Sequence, residues 1–168
     1  MWAAFVFLKN IIMQYSLAFN TSHCQFYIYD KNSSGNTASN TFWTEDAYND
    51  RLATEDGILG IGTECYGPVK GELYLLSEPR NYMNLDQYDH VVEAGIEIKS
   101  GVIQILDCPN SSVELEVNVI AGRYRVRIYS INLASVDGDE GDDFYKIEIW
   151  PSTAVERKVL KRYEGVAS

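Results

Sequence analysis

Five carboxylates fall within seven residues at Asp137-Gly138-Asp139-Glu140-Gly141-Asp142-Asp143. Charges of one sign held this close repel one another and resist ionising together unless solvent or a cation compensates. Three kinds of chemistry use such a run. Carboxylate oxygens are the usual ligands of hard cations, and Asp137, Asp139, Asp142 and Asp143 are the residues that would hold calcium here. The spacing is not that of an EF-hand: counting from Asp137, the fifth position is Gly141, and no helices are predicted on either side. A negative surface can instead face a basic protein partner, such as a nuclease or a secreted toxin. Carboxylates then stand in for phosphates and steer association. In that reading Asp137, Asp139, Glu140, Asp142 and Asp143 bind the partner, with Trp43 as an aromatic anchor. The third use is a solvated turn that blunts aggregation at strand ends.

The other candidates carry less chemistry. Arg123, Arg125 and Arg127 form a basic stripe. It suits an anion site, and it suits strand-face pairing with Glu114, Glu116 and Glu148; the pairing is the better reading. Trp150, followed by Pro151 at a strand end, is expected to be partly buried. His23 beside Cys24 hints at a metal, but no second Cys/His pair completes a site. Cys24, Cys65 and Cys108 are an odd number without close spacing, which gives no disulfide framework. No G-x-S-x-G elbow, H-E-x-x-H, P-loop or dinucleotide fingerprint occurs, and Gly60-Ile61-Gly62 is a fragment of a glycine motif. Nothing points to a nucleophile–base pair built on His23 or His90. The expectation is therefore a non-enzymatic protein with no catalytic residues and no cofactor.

Charge narrows the partners. The chain has 168 residues and a formal net charge of -10, from 24 acidic and 14 basic side chains. That balance excludes a general nucleic-acid binder, which needs a basic face to neutralise phosphates. The apolar run within Met1–Ile12 is too short to span a bilayer and lacks the features of a signal peptide. It reads as an upstream extension or an added edge strand, with Met13 opening the more ordinary N-terminus. Cytoplasmic localisation is the default expectation.

Alternation supplies the elements that must position these groups. Hydrophobic residues make up 46% of the chain, enough for an ordered core, and its 12 tyrosines favour pleated, half-buried surfaces. Strand character is predicted over 13–20, 23–30, 58–63, 69–76, 87–98, 101–107, 112–119, 123–130 and 144–150. Thr44 is placed to cap a short helix with Glu45 and Asp46 in its first turn. Val113, Leu115, Val117 and Val119 alternate with Glu114, Glu116 and Asn118; Tyr124, Val126 and Ile128 alternate with the arginines. A hairpin of these two strands would set Glu114 and Glu116 against Arg125 and Arg127, at about 0.2–1 kcal/mol per pair. The fold class is all-β, an antiparallel, jelly-roll-like β-sandwich with one short helix. One domain is expected over 13–163, followed by a flexible tail at 164–168.

The order of these segments resembles a known family. Gln25-Phe26-Tyr27-Ile28-Tyr29-Asp30, Trp43-Thr44-Glu45-Asp46 and Glu55-Asp56-Gly57-Ile58 are similar to the front half of the competence protein J family. Tyr88-Asp89-His90-Val91-Val92-Glu93-Ala94, Gly122-Arg123-Tyr124-Arg125-Val126-Arg127, Gly141-Asp142-Asp143-Phe144-Tyr145 and Ile149-Trp150-Pro151 resemble the back half of related bacterial proteins. The resemblance covers most of residues 14–151. It implies a β-sandwich and an inhibitor or immunity-type role, since the family's best-known member blocks a nuclease of DNA uptake. The segment from Val155 departs from that pattern with a basic run, Arg157, Lys158, Lys161 and Arg162.

Overall fold

The structure is a computed structural model and describes residues 10–81 and 84–165. Eleven strands are described: β1 (Ile11–Asn20), β2 (Gln25–Asp30), β3 (Leu52–Glu55), β4 (Ile58–Gly62), β5 (Pro68–Leu76), β6 (His90–Ile98), β7 (Val102–Leu106), β8 (Val113–Asn118), β9 (Gly122–Ile131), β10 (Phe144–Pro151) and β11 (Lys158–Lys161). One helix, α1 (Glu45–Asp50), and a 3₁₀ turn at Leu133–Ser135 complete the described elements. The first sheet runs β1-β5-β10-β9-β6-β11, the second β3-β4-β2-β7-β8. The β5–β10 pair is parallel and the remaining pairs are antiparallel. Residues 1–9 of the Met1–Ile12 segment lie outside the described residues; Ile11 and Ile12 belong to β1, an edge strand.

Period two builds the core. Phe26 and Ile28 of β2, Val126 and Ile128 of β9, and Tyr145, Ile147 and Ile149 of β10 share one buried cluster between the sheets. The outer face of the second sheet is covered too. Tyr27, Ala53, Ile58, Leu106 and Cys108 pack there against Phe42 and Ala47. That cover includes α1, whose first turn is fixed by the Thr44 hydroxyl accepting from Ala47 N–H at 3.1 Å. The helix stops at Arg51, in the left-handed conformation.

The β8–β9 hairpin expected from alternation does not form. β8 pairs with β7 in the second sheet, whereas β9 pairs with β6 and β10 in the first. Alternation records which face of a strand is buried and leaves its neighbour open, so Ile120 and Ala121 carry the chain across between sheets. Glu116 consequently meets Lys31 at 3.4 Å and Gln104 at 2.8 Å. The arginine stripe does pair with a carboxylate, but with Glu93 of β6: Arg125 Nε at 3.2 Å and Arg127 Nε at 2.6 Å. Trp150 is buried more completely than expected, with the Arg127 guanidinium over its ring at 5.0 Å. Most of the basic run after Val155 is tied to the fold: Arg157 and Arg162 both clamp Asp50 of α1, at 2.7 and 2.6 Å, and Lys161 donates to the Leu85 carbonyl at 3.1 Å.

His90 ties the strap formed by residues 152–163 to the sandwich. Its Nδ1 accepts from Tyr163 N–H at 3.1 Å, so the ring proton sits on Nε2 and donates to the Asp50 carbonyl at 2.9 Å. Burial holds the imidazole below its ordinary value, with Asp50 pulling the other way and Arg51 and Arg162 reinforcing it. The folded state therefore binds fewer protons here than the unfolded chain, and stability drops as pH falls below about 6.5. The expected result is a melting temperature that declines from about pH 6.5 downward, a decline lost in His90→Gln. A flat profile for the parent chain over that range would rule the imidazole out as its source.

Candidate functional site

Three connections converge at one end of the sandwich. The β1–β2 turn is bound to the β4–β5 connection by Thr21 N–H to Gly67 O (2.9 Å), Cys24 N–H to Tyr66 O (3.2 Å) and Thr63 N–H to Cys24 O (2.8 Å). The β9–β10 loop joins them through Tyr66 N–H to Gly138 O at 3.1 Å. The acidic run is thereby fixed through Tyr66 to the Cys24 turn, which shares a cavity wall with Trp43.

Within the loop, Asp137 and Glu140 exchange backbone hydrogen bonds at 2.7 and 3.0 Å, closing a tight turn over Gly138 and Asp139. Gly138 takes φ +62°, the conformation glycine adopts without strain at the first central position of such a turn. Ser135 Oγ accepts from Asp142 N–H at 2.9 Å and pins the base of the loop. Asp137, Asp139, Glu140 and Asp142 are left exposed.

Asp143 departs from the expected partner set. It is 4% exposed, and its Oδ2 accepts from the Tyr145 hydroxyl at 2.6 Å and Cys65 N–H at 3.3 Å. Burial, then the Asp143 bond, pushes the Tyr145 phenol far up, so it stays a donor. Asp143 faces inward because it shares the parity of Tyr145, Ile147 and Ile149; that signal lay in the sequence. Its carboxylate serves the fold, which removes it from the calcium set as well. Among the described residues no group of three or more His, Cys, Asp or Glu side chains is placed to hold a metal ion.

Beside the loop lies a cavity of about 320 Å³ whose walls include His23, Gln25, Trp43, Tyr48, Arg51 and Glu64. Trp43 and Tyr48 meet at 5.2 Å between ring centroids, tilted by 34°, and Phe42 backs Trp43 edge-on at 5.6 Å. Arg51 and Glu64 close an ion pair at 2.5 Å. Tyr48 is 66% and Tyr66 44% exposed, and the Tyr66 ring meets His23 at 5.5 Å. Together with the loop they make an acidic and aromatic rim. The cavity, Tyr48, Tyr66 and Gln25 were not anticipated from sequence. Their signal was the glycine pair of β4: a Cβ at Gly60 would fall 2.8 Å from Phe42 Cζ and 2.9 Å from Trp43 Cζ2. Gly60 is thus a seat for the Phe42–Trp43 segment and no part of a phosphate loop.

Burial, then nearby Glu64, pushes the Cys24 thiol up, which leaves it protonated and a poor nucleophile. Both nitrogens of His90 are engaged by backbone groups. His23 and Cys24 do carry local strain, with φ of 59° and 56°, at about 1–2 kcal/mol each. A second cavity of about 320 Å³ lies at the other end of β4, with Glu55, Asp56, Glu97 and Arg123 around it. No helix among the described residues is long and apolar enough to cross a membrane.

No family model matches the sequence, and a search of curated proteins finds no match. Solved structures do match. ComJ from Bacillus subtilis, described as the inhibitor of the DNA-degrading activity of NucA, superposes with a TM-score of 0.63 at 18% identity, covering 83% of this chain and 99% of that one. A structure described as crocagin biosynthetic gene J superposes with a TM-score of 0.52 at 16% identity, covering 83% of this chain and 97% of that one. Motif order and three-dimensional likeness therefore agree, and the chain has the fold of ComJ.

Proposed function

We propose that this chain is a non-catalytic protein that inhibits a nuclease or a comparable toxic enzyme, docking through the acidic and aromatic end of the sandwich. The carrying observation is the placement of Asp137, Asp139, Glu140 and Asp142, exposed and tied through the Tyr66–Gly138 bond to the rim of Trp43, Tyr48 and Tyr66. Aromatic anchors beside steering charges make a surface suited to a basic enzyme groove. The fold likeness to a protein described as a nuclease inhibitor supports the same reading. Three free cysteines suit action in the reducing cytoplasm.

Inhibition of DNA degradation, measured against a panel of sugar-nonspecific nucleases, tests this directly. Neutralising the loop (Asp137→Asn, Asp139→Asn, Glu140→Gln, Asp142→Asn) is expected to slow association about 10- to 1000-fold at low salt. The same change should move stability by less than about 0.5 kcal/mol. Inhibition indifferent to both the substitutions and the salt would defeat the reading.

A further inference from the structure

Four strands stand at the edges of the two sheets: β1 and β11 of the first, β3 and β8 of the second. An edge strand offers unpaired N–H and C=O groups to any strand that meets it, and proteins ordinarily guard it with charge or cover. Three of the four are guarded. β11 begins and ends in lysine, and β8 carries Glu114 and Glu116. β3 ends in Glu55, and the Arg157 guanidinium takes its Leu52 carbonyl at 3.1 Å. β1 differs. It is ten residues long, with no charge and no proline, in a chain of net charge -10. A register shift interrupts it between Ile11 and Met13, but Met13–Asn20 pairs without a break against Leu75–Pro68 of β5. Among the described residues no strand pairs with its other side. Ser16 and Ala18 are exposed, and Tyr15 and Phe19 are half-buried against the core.

We propose that β1 is a homodimer interface, pairing antiparallel with β1 of a second copy so that the two first sheets join into one. Charge selects the occupant. Two chains of net charge -10 repel one another, and this strip brings no like charges face to face. A strand that meets its own copy antiparallel is self-complementary about a two-fold axis, so the pairing closes at the dimer. Register follows from parity, since opposed residues share a face. With Leu17 on the axis, Tyr15 lies opposite Phe19 of the second copy, and each finishes burying the other. Ser16 then lies opposite Ala18, and Gln14 opposite Asn20. An axis on Ser16 would set Tyr15 against Leu17 and forgo the aromatic pair, the stronger cross-strand contact. Antiparallel pairing also points the two β1–β2 turns in opposite directions, so both acidic ends stay open.

Sedimentation equilibrium of the full chain tests this. An edge-to-edge contact is small, so a dimer is expected at about 100 μM that dissociates toward about 1 μM. Raising the salt should tighten it, because screening relieves the repulsion between two acidic copies. Ser16→Lys with Ala18→Lys sets lysine opposite lysine twice. It should weaken dimerisation about 100-fold, even though each chain becomes less acidic. Ser16→Lys with Ala18→Glu sets lysine opposite glutamate twice and should restore the dimer. Both positions are exposed, so the melting temperature of the dilute monomer should hold in both variants. A parent chain monomeric throughout that range, or a dimer indifferent to the lysine pair, overturns the proposal. Loss of the dimer in the lysine–glutamate variant overturns the pairing about Leu17. Dimerisation that appears only after residues 1–9 are removed gives the edge to that segment and overturns the proposal as well.

Discussion

Glu93→Gln is expected to destabilise the fold by about 3–5 kcal/mol, the cost of breaking a buried ion pair on one side. Glu93 bridges two arginines on the outer face of the first sheet, and the three side chains are only 4–13% exposed. Arg125 also donates to the Ala154 and Glu156 carbonyls at 3.2 and 2.7 Å, and Arg127 to the Arg80 carbonyl at 3.0 Å. The carboxylate therefore holds two guanidiniums that in turn hold the strap and the segment after β5. Glutamine keeps the shape but leaves two buried cations facing one neutral amide. At about 2–4 °C per kcal/mol for a domain of this size, the melting temperature should fall by about 6–20 °C. A urea titration should show a lower midpoint with an unchanged slope. Burial keeps salt from screening the network, so the loss should persist at high ionic strength. A loss below about 1 kcal/mol would mean that the triad behaves like an exposed pair.

Replacing the triad with apolar residues would not restore the parent, because the Ala154, Glu156 and Arg80 carbonyls would lose their donors. Buried ion pairs are often no better than well-packed apolar groups. Here the arginines also satisfy backbone acceptors, and that second duty ties the outer face of the sheet to the segments lying over it. Glu148, fully buried on the same face, pairs with Arg80 at 3.4 Å and extends the arrangement along β10.

Which parts of this were legible in the sequence follows from what local pattern can encode. Tyr124, Val126 and Ile128, and likewise Tyr145, Ile147 and Ile149, declared their buried faces through alternation, and Thr44 declared the helix start. The partner of each strand was not declared, since a β8–β9 hairpin and a crossover bury the same residues. β3 and β11 escaped notice because each is a four-residue edge strand, and β11 begins and ends in lysine. Arg125 and Glu148 fall on the polar faces of their alternating strands; only the segments folded over the first sheet bury them, together with Glu93. Gln25 and Trp43 lie 18 positions apart and share a cavity because the 31–51 segment folds back over β2 and β4, a fact no window of sequence contains. The acidic loop is the most visible feature of the sequence, yet both its partner set and its calcium set include Asp143. The parity of β10 separates Asp143 from the other four.

That separation leads to the second large effect. Asp143→Ala is expected to cost about 2–3 kcal/mol, the range for stranding buried donors that had a charged acceptor. The Tyr145 hydroxyl, which itself accepts from Glu64 N–H at 2.8 Å, loses the acceptor for its own proton, and Cys65 N–H loses its partner. These bonds join β10 to the 63–67 connection, from which Tyr66 holds the acidic turn. The substitution should therefore lower both stability and inhibition, while neutralising Asp137, Asp139, Glu140 and Asp142 lowers inhibition alone. Tyr145→Phe provides the cross-check. If the hydrogen bond carries the effect, Asp143→Ala and Tyr145→Phe combine to less than the sum of their separate losses. Chemical denaturation of the four proteins in that cycle measures this coupling. Strict additivity, or a loss for Asp143→Ala within about 0.5 kcal/mol of zero, would return Asp143 to the solvated loop and make the acidic run a single surface again.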